Sequence, residues 1–181
     1  MKRAVRIAGA LAVSALLGLA GCSADRPAPA ALQPVEAKIA GRQVWNQKLD
    51  GVSFPLAVAV RAGRFYLASD DGTVLALEAA TGREIWRGQV GAKLSAGVGS
   101  DGRFAAVATK SNELVVLDGG NPTWRAKLDA AVVTAPLVAG ERVFVVGVDR
   151  VVHAFDVLDG RRLWTLKRPG DSLTLSQAGV L

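Results

Sequence analysis

Four tryptophans set the frame of this chain: Trp45, Trp86, Trp124 and Trp164 stand 41, 38 and 40 residues apart, and they are all the tryptophans it has. Each closes a similar phrase. Val74-Leu75-Ala76-Leu77-Glu78-Ala79-Ala80-Thr81-Gly82-Arg83-Glu84-Ile85-Trp86 has the spacing of Val152-His153-Ala154-Phe155-Asp156-Val157-Leu158-Asp159-Gly160-Arg161-Arg162-Leu163-Trp164. Leu114-Val115-Val116-Leu117-Asp118 runs to Trp124 with two residues fewer in the turn, and Gly41-Arg42-Gln43-Val44-Trp45 is a fourth ending. A period near 40 residues means a repeat architecture, in which each unit buries its apolar face only by stacking on the next.

Each period holds four short runs with strand character, rich in valine, leucine and aromatics and separated by turn residues. The first period has Leu56–Val60, Arg64–Ala68, Thr73–Leu77 and Glu84–Val90. The second has Ala96–Val98, Arg103–Ala108, Glu113–Leu117 and Thr123–Leu128, with Gly119-Gly120-Asn121-Pro122 as a shortened turn. The third has Pro136–Val138, Arg142–Val146, Val151–Phe155 and Arg162–Leu166. Ala62-Gly63, Asp71-Gly72 and Thr81-Gly82 mark the turns of the first unit, because glycine accepts the positive φ that tight hairpins require. Four antiparallel strands per period predict an all-β fold, a β-propeller with blades at about 53–90, 94–128 and 132–167. A leading outer strand is expected at 42–49 and the start of a further blade at 173–181, so three blades with flanking strands leave the ring incomplete.

Why tryptophan should end each period follows from blade geometry. Adjacent sheets splay apart at their outer strands, and a large flat side chain fills the wedge. Burying about 150–250 Å² at about 25 cal/mol per Å² is worth about 4–6 kcal/mol as an upper bound. Trp45, Trp86, Trp124 and Trp164 are therefore expected as structural docks rather than as a ligand-stacking surface, since equivalent repeat positions imply equivalent packing.

The amino terminus reads as an export signal over 1–21: basic Lys2, Arg3 and Arg6, then an apolar run from Ile7 to Ala20. That run falls short of the roughly 20 apolar residues of a membrane span. It ends in Leu19-Ala20-Gly21-Cys22, which resembles the lipobox of bacterial lipoproteins. The resemblance implies cleavage after Gly21 and lipidation of Cys22, and serine at position 23 rather than aspartate implies sorting to the outer membrane. Residues 22–40 contain Pro27, Pro29 and Pro34 among many alanines, with no sustained period, and read as a tether.

Little in the sequence points to catalysis. Cys22 is the only cysteine, which excludes an intrachain disulfide and a multi-cysteine metal site. His153 is the only histidine and replaces the Leu75 and Val115 of the other repeats, so it reads as strand filler rather than as a general base. Asp70-Asp71-Gly72 and Asp149 fall at hairpin tips, where acidic residues serve turns. No glycine-rich loop joins a strand to a helix to cradle phosphate. Neither catalytic residues nor metal ligands are assigned, and no cofactor is expected. The formal charge of +6 includes three leader residues; without them 19 basic and 16 acidic residues remain, with no basic run, so nucleic acid is not an expected partner.

The phrase of alanine, acid, Thr-Gly and tryptophan, carried by Ala76, Glu78, Thr81, Gly82 and Trp86 and again by Ala154, Asp156, Gly160 and Trp164, resembles the repeat of quinoprotein-type propellers. Asp159 replaces the threonine in one copy, and Val116 replaces the alanine in the middle repeat. Two families share that repeat. Quinone-dependent dehydrogenases often carry a vicinal cysteine pair, which this chain lacks. The order lipobox, Pro/Ala tether, then repeats is similar to the BamB family, lipoprotein propellers of the outer-membrane β-barrel assembly machinery. That resemblance implies an eight-bladed ring in the full protein and a non-catalytic scaffold. It also implies a periplasm-facing location at the outer membrane, a BamA-type partner, and assistance to unfolded outer-membrane proteins. Leu173 and Leu175 match the leucines of the family's Leu-x-Leu-Arg partner contact, while Ser176 stands where the family has arginine. The same alternation fits the start of a further inner strand, and both readings stand. The competing assignment is part of a periplasmic quinoprotein dehydrogenase or another ligand-binding propeller.

Overall fold

The computed structural model describes residues 29–31 and 41–167. The leader 1–21, Cys22, most of the 22–40 tether, Leu173, Leu175 and the segment 173–181 lie outside the described residues. The chain divides into two units, Met1–Gly41 and Arg42–Leu181, and the second carries the sheets.

Twelve strands form three separate four-stranded sheets in which every neighbour is antiparallel. The first blade is β1 (Ala59–Arg61), β2 (Arg64–Ala68), β3 (Thr73–Glu78) and β4 (Glu84–Gln89). The second is β5 (Gly99–Ser100), β6 (Phe104–Ala108), β7 (Glu113–Asp118) and β8 (Asn121–Lys127). The third is β9 (Leu137–Ala139), β10 (Arg142–Val146), β11 (Val151–Asp156) and β12 (Arg162–Lys167). Within each sheet the order follows the chain, and among the described residues there is no helix. The expected all-β propeller class is the fold observed.

The hairpins are built by local chemistry. Between β1 and β2 both Ala62 (φ 49°) and Gly63 (φ 69°) take left-handed backbone, and Gly140 (57°) with Glu141 (62°) does the same between β9 and β10. A two-residue turn with both φ values positive matches the twist of the flanking strands. Asp71 organises the β2–β3 tip of the first blade: its carboxylate accepts from Ser69 Oγ (2.6 Å), Thr73 N (3.0 Å) and Thr73 Oγ1 (3.0 Å).

Strand limits differ from the expected ones in two instructive ways. The inner strands sit nearer their hairpins, and the first two are shorter, where neighbouring blades approach closely: a Cβ at Gly97 would lie 2.6 Å from Ala57 Cβ, and one at Gly99 would collide with the Pro136 carbonyl. In the middle repeat β8 begins at Asn121, not Thr123, with Asp118 paired to Asn121. Gly119 (φ 59°) and Gly120 (φ 91°) close this hairpin alone, and Pro122, which has no N–H to donate, is accommodated on an outer strand. The segment 42–49, expected as an outer strand, has no ladder; among the described residues no fourth sheet offers it a partner.

Two apolar layers hold the blades together. One joins the first and second blades through Tyr66, Ala68, Val74 and Ala76 on one side and Ala105, Val107, Val115 and Leu117 on the other. The next repeats it, with Phe104, Ala106, Leu114 and Val116 against Val143, Val145, Phe155 and Val157. Each blade thus has a leading face, which meets the blade before it, and a trailing face, which meets the blade after it.

Candidate functional site

The repeated feature of the structure is the tryptophan dock, and each part of the phrase has a mechanical role in it. In all three blades the pairing of the third and fourth strands slips at one place: between Ala76 and Leu77, between Val116 and Leu117, and between Ala154 and Phe155. Ile85, Thr123 and Leu163, each one residue before the tryptophan, are the extra residues. A bulge there twists the outer strand and re-aims the side chain that follows. The alanine that recurs at positions 76 and 154 has a cross-strand explanation. Tyr66, Ala76 and Trp86 lie in one row across the first blade, and the small middle residue lets the two rings meet at 5.9 Å. Phe144, Ala154 and Trp164 repeat the row at 5.8 Å. In the second blade the row reads Ala106, Val116, Trp124, so the bulk removed from the second strand is placed on the third. The substitution of valine for alanine at position 116 is therefore compensated by its neighbour.

The indole then reaches the next blade. Trp124 Nε1 donates to the Val157 carbonyl at 2.8 Å, and its ring covers Gly160, where a Cβ would lie 2.6 Å from ring carbons. Trp45 makes the same contact on the first blade, donating to the Ala79 carbonyl at 2.9 Å and covering Gly82, again 2.6 Å from a virtual Cβ. Trp86 covers Gly120, with a virtual Cβ at 3.1 Å from its ring. The glycine of each turn has two duties: it adopts positive φ, 72° at Gly82 and 73° at Gly160, and it leaves space for the incoming ring. The acidic residue shapes the turn that presents the glycine. Glu78 Oε2 accepts from Thr81 Oγ1, and Asp156 Oδ1 accepts from Leu158 N at 2.9 Å. Trp164 is the exception. It stacks on Phe144 within its own blade but is 44% exposed, with Leu166 beside it 55% exposed.

The titratable side chains singled out by sequence do not converge. His153 is buried on the leading face of the third blade, its Nδ1 3.2 Å from Thr165 Oγ1 and its ring 6.2 Å from Phe155. Burial lowers its pKa from the usual 6.5, and the nearby Arg162 charge acts in the same direction. Asp71 is held below the usual carboxylate value chiefly by the Ser69 hydroxyl, then by Thr73. Asp70 is lowered by its hydrogen bonds from Ser53 and is 3.8 Å from Lys110. Among the described residues no three His, Cys, Asp or Glu side chains are grouped so as to hold a metal ion. The amino-acid pattern does not reveal the outer-strand bulge, which is present in all three blades whatever the length of the turn before it. Nor does it reveal the role of Ala106, which depends on a cross-strand neighbour.

Blades built on this dock define a β-propeller of quinoprotein-like repeats. Comparison with known proteins carries the assignment further. A family model described as outer membrane protein assembly factor BamB matches residues 35–95 and 70–181, and the chain belongs to that family. It is 36% identical over 180 residues to the outer membrane protein assembly factor BamB of Bordetella pertussis, covering 96% of this chain and 47% of that protein. It is 32% identical over 167 residues to that of Burkholderia pseudomallei, covering 90% and 44%. The chain thus spans about half the length of these relatives. Among solved structures, BamB from Moraxella catarrhalis superposes with a TM-score of 0.57 at 24% identity, over 65% of this chain and 37% of that one. A quinohemoprotein alcohol dehydrogenase from Pseudomonas putida HK5 gives 0.50 at 20% identity, over 67% and 22%. Both likenesses show the shared fold alone.

Proposed function

We propose that this chain acts in outer-membrane protein assembly as a non-catalytic, lipid-anchored scaffold facing the periplasm. The observation that carries the reading is the family match over residues 35–181, with Leu19-Ala20-Gly21-Cys22 upstream of it. In this reading Cys22 supplies the membrane attachment, since several acyl chains anchor stably where one does so only marginally. The propeller presents its loops on a rigid body. Leu173 and Leu175 form the contact for a BamA-type partner, and unfolded outer-membrane proteins are the clients. The docks support a scaffold role, because the repeat phrase is consumed by packing between blades and leaves its acidic residues in turns.

The test separates anchor from contact. Cys22→Ser is expected to move the protein from the outer-membrane fraction to the soluble periplasm. Leu173→Glu with Leu175→Glu is expected to abolish recovery of the BamA-type protein in a pull-down while leaving membrane attachment intact. Undiminished recovery by the double variant would remove these leucines from the partner site. Quinone uptake with dehydrogenase turnover by the protein would establish the enzyme reading instead.

A further inference from the structure

The first–second and second–third junctions share an apolar layer but differ in the polar groups set into it. Leu75, Val115 and His153 hold one place in β3, β7 and β11. Opposite the two aliphatic residues stands an arginine, Arg87 facing Leu75 and Arg125 facing Val115. Opposite His153 stands Thr165 instead, its hydroxyl 3.2 Å from the imidazole Nδ1. The two changes match, because an arginine in that position would meet a second cation whenever the ring took a proton. The strut between blades has moved as well. Arg125 crosses the first–second junction to the Val90 carbonyl. The second–third junction is crossed from a different place in the outer strand, by Arg162, which reaches the Lys127 carbonyl at 3.5 Å and Asp129 at 3.8 Å.

We propose that the second–third junction is an acid-sensitive latch: protonation of His153 parts the third blade from the second, while the first–second junction, with Val115 in the same place, stays closed. This goes beyond the assembly-factor reading and does not depend on it.

Closure requires the neutral ring. His153 is 4% exposed, in register with Val145 on one side and Thr165 on the other, on the face where Val143, Val145 and Phe155 pack against the second blade. Its bonding partner is a hydroxyl rather than a carboxylate, so a proton gained there places an unpaired charge in an apolar layer. The charged groups that face it are Arg162 from β12, Asp149 from the β10–β11 turn and Asp129 from the loop after β8. Burial first, and Arg162 next, hold its pKa below 6.5 against the pull of the two aspartates. Arg162 lies 5.6 Å from the Phe155 ring centre, and the imidazole is 6.2 Å from the same ring. A charged His153 therefore repels the side chain that spans the junction. The closed junction has the lower pKa, so the proton binds the opened form more readily. Opening is opposed in full above 6.5 and becomes easier as pH falls from there toward the lowered value. At the first–second junction Val115 has no proton to accept.

The tryptophan docks supply the reporters. The Trp124 indole N–H donates across the second–third junction to the Val157 carbonyl, so it resists exchange with solvent only while these blades are together. The Trp86 ring covers Gly120 across the first–second junction and imposes a ring-current shift on it. Hydrogen exchange of the full chain is followed by NMR at the Trp124 indole and at the ladder amides of β3 and β6, each referred to its unprotected rate at the same pH. As pH falls below 6.5, Trp124 is expected to lose protection several-fold, while the β3 and β6 amides and the Gly120 shift hold steady. His153→Leu, which installs the aliphatic residue of another repeat, is expected to abolish the change. His153→Gln, which stays polar beside Thr165 but does not titrate, is expected to do the same. Protection at Trp124 that ignores pH, a parallel loss at the β3 and β6 amides or at Gly120, or acid sensitivity that survives in both His153 variants would each overturn the proposal.

Discussion

Trp124 and Trp164 occupy the same place in consecutive repeats, follow the same bulge and point in the same direction, yet their environments differ. Trp124 is capped by the third blade, with a hydrogen bond to Val157 and a glycine under its ring, whereas Trp164 is nearly half exposed. The equivalent strands repeat the contrast: in β8 Trp124 and Ala126 are half-buried, while β12 is exposed at four consecutive positions from Trp164 to Lys167. The difference teaches that a blade does not bury its own tryptophan. The residue is provided by one repeat and its stabilisation by the next, so stability is a property of the junction.

The comparison breaks most decisively at the tryptophans themselves. Trp124→Ala is expected to cost about 3–5 kcal/mol, because it empties a filled wedge and strands the Val157 carbonyl. Trp164→Ala, which loses mainly the stack on Phe144, is expected to cost about 1 kcal/mol. Chemical denaturation of both variants measures the contrast, and equal losses would refute the junction account. The glycines sharpen it at a smaller scale. Gly160→Ala must place a methyl group against the Trp124 ring at a φ of 73°, and is expected to cost about 2–3 kcal/mol. Gly119→Ala has a similar φ of 59° with nothing nearby, and is expected to cost about 1 kcal/mol. The excess of the first over the second reports the ring contact alone.

His153 adds a pH dimension to the same junction. It faces the second blade from the leading face of the third, where other repeats place Leu75 and Val115. Its folded pKa lies below 6.5, so the unfolded chain binds the proton more readily. Its neutral form is the one the fold accepts: stability is complete above 6.5 and declines as pH falls from there toward the lowered folded value. Charged groups around it are Arg162, Asp149 and Asp129, of which the arginine opposes protonation and the aspartates favour it. His153→Leu is expected to remove this acid-side decline while leaving the midpoint at higher pH unchanged or slightly raised, as thermal denaturation across that range would show. A variant that retains the full decline would place the titrating group elsewhere.

The sequence carried the period, the fold class and the strand count, since alternation and turn residues are local properties. It also pointed to the family. The inner strands begin later than the apolar pattern implies, because Leu56 and Val58 carry that pattern ahead of the ladder, which starts at Ala59. The short middle turn uses two glycines where the sequence suggests four residues, since Pro122 resembles a turn residue along the chain yet lies on an outer strand. Val116 looked like a departure from the phrase. It is one only along the chain, because Ala106 compensates for it across the sheet, and one-dimensional reading does not see rows. The proposed sites at Cys22, Leu173 and Leu175 rest on sequence alone, since they fall outside the described residues.

The smallest expected effect belongs to the most regular charge pattern. Arg64 and Arg142 open the second strand of the first and third blades and pair in register with the acids that close the third strand, Glu78 and Asp156; in the second blade Arg103 stands one residue before β6, beside Phe104, the register partner of Asp118. In the second blade the contact is made twice, from Arg103 Nε at 3.1 Å and Nη2 at 2.8 Å to one oxygen of Asp118, and the guanidinium sits 4.5 Å from the Phe104 ring centre. The Asp118 bond raises the arginine's pKa above its usual value. Repetition at three positions suggests importance, but the arginine is 67% exposed and water competes for every donor. Arg103→Met keeps the stem that covers Phe104 and removes only the charge. Its denaturation midpoint is expected to match that of the unaltered chain within experimental scatter, at low salt and high salt alike. A clear, salt-sensitive loss would mean that these rim pairs hold the blades in line, and that the junction is secured by charge at its edge as well as by tryptophan in its wedge.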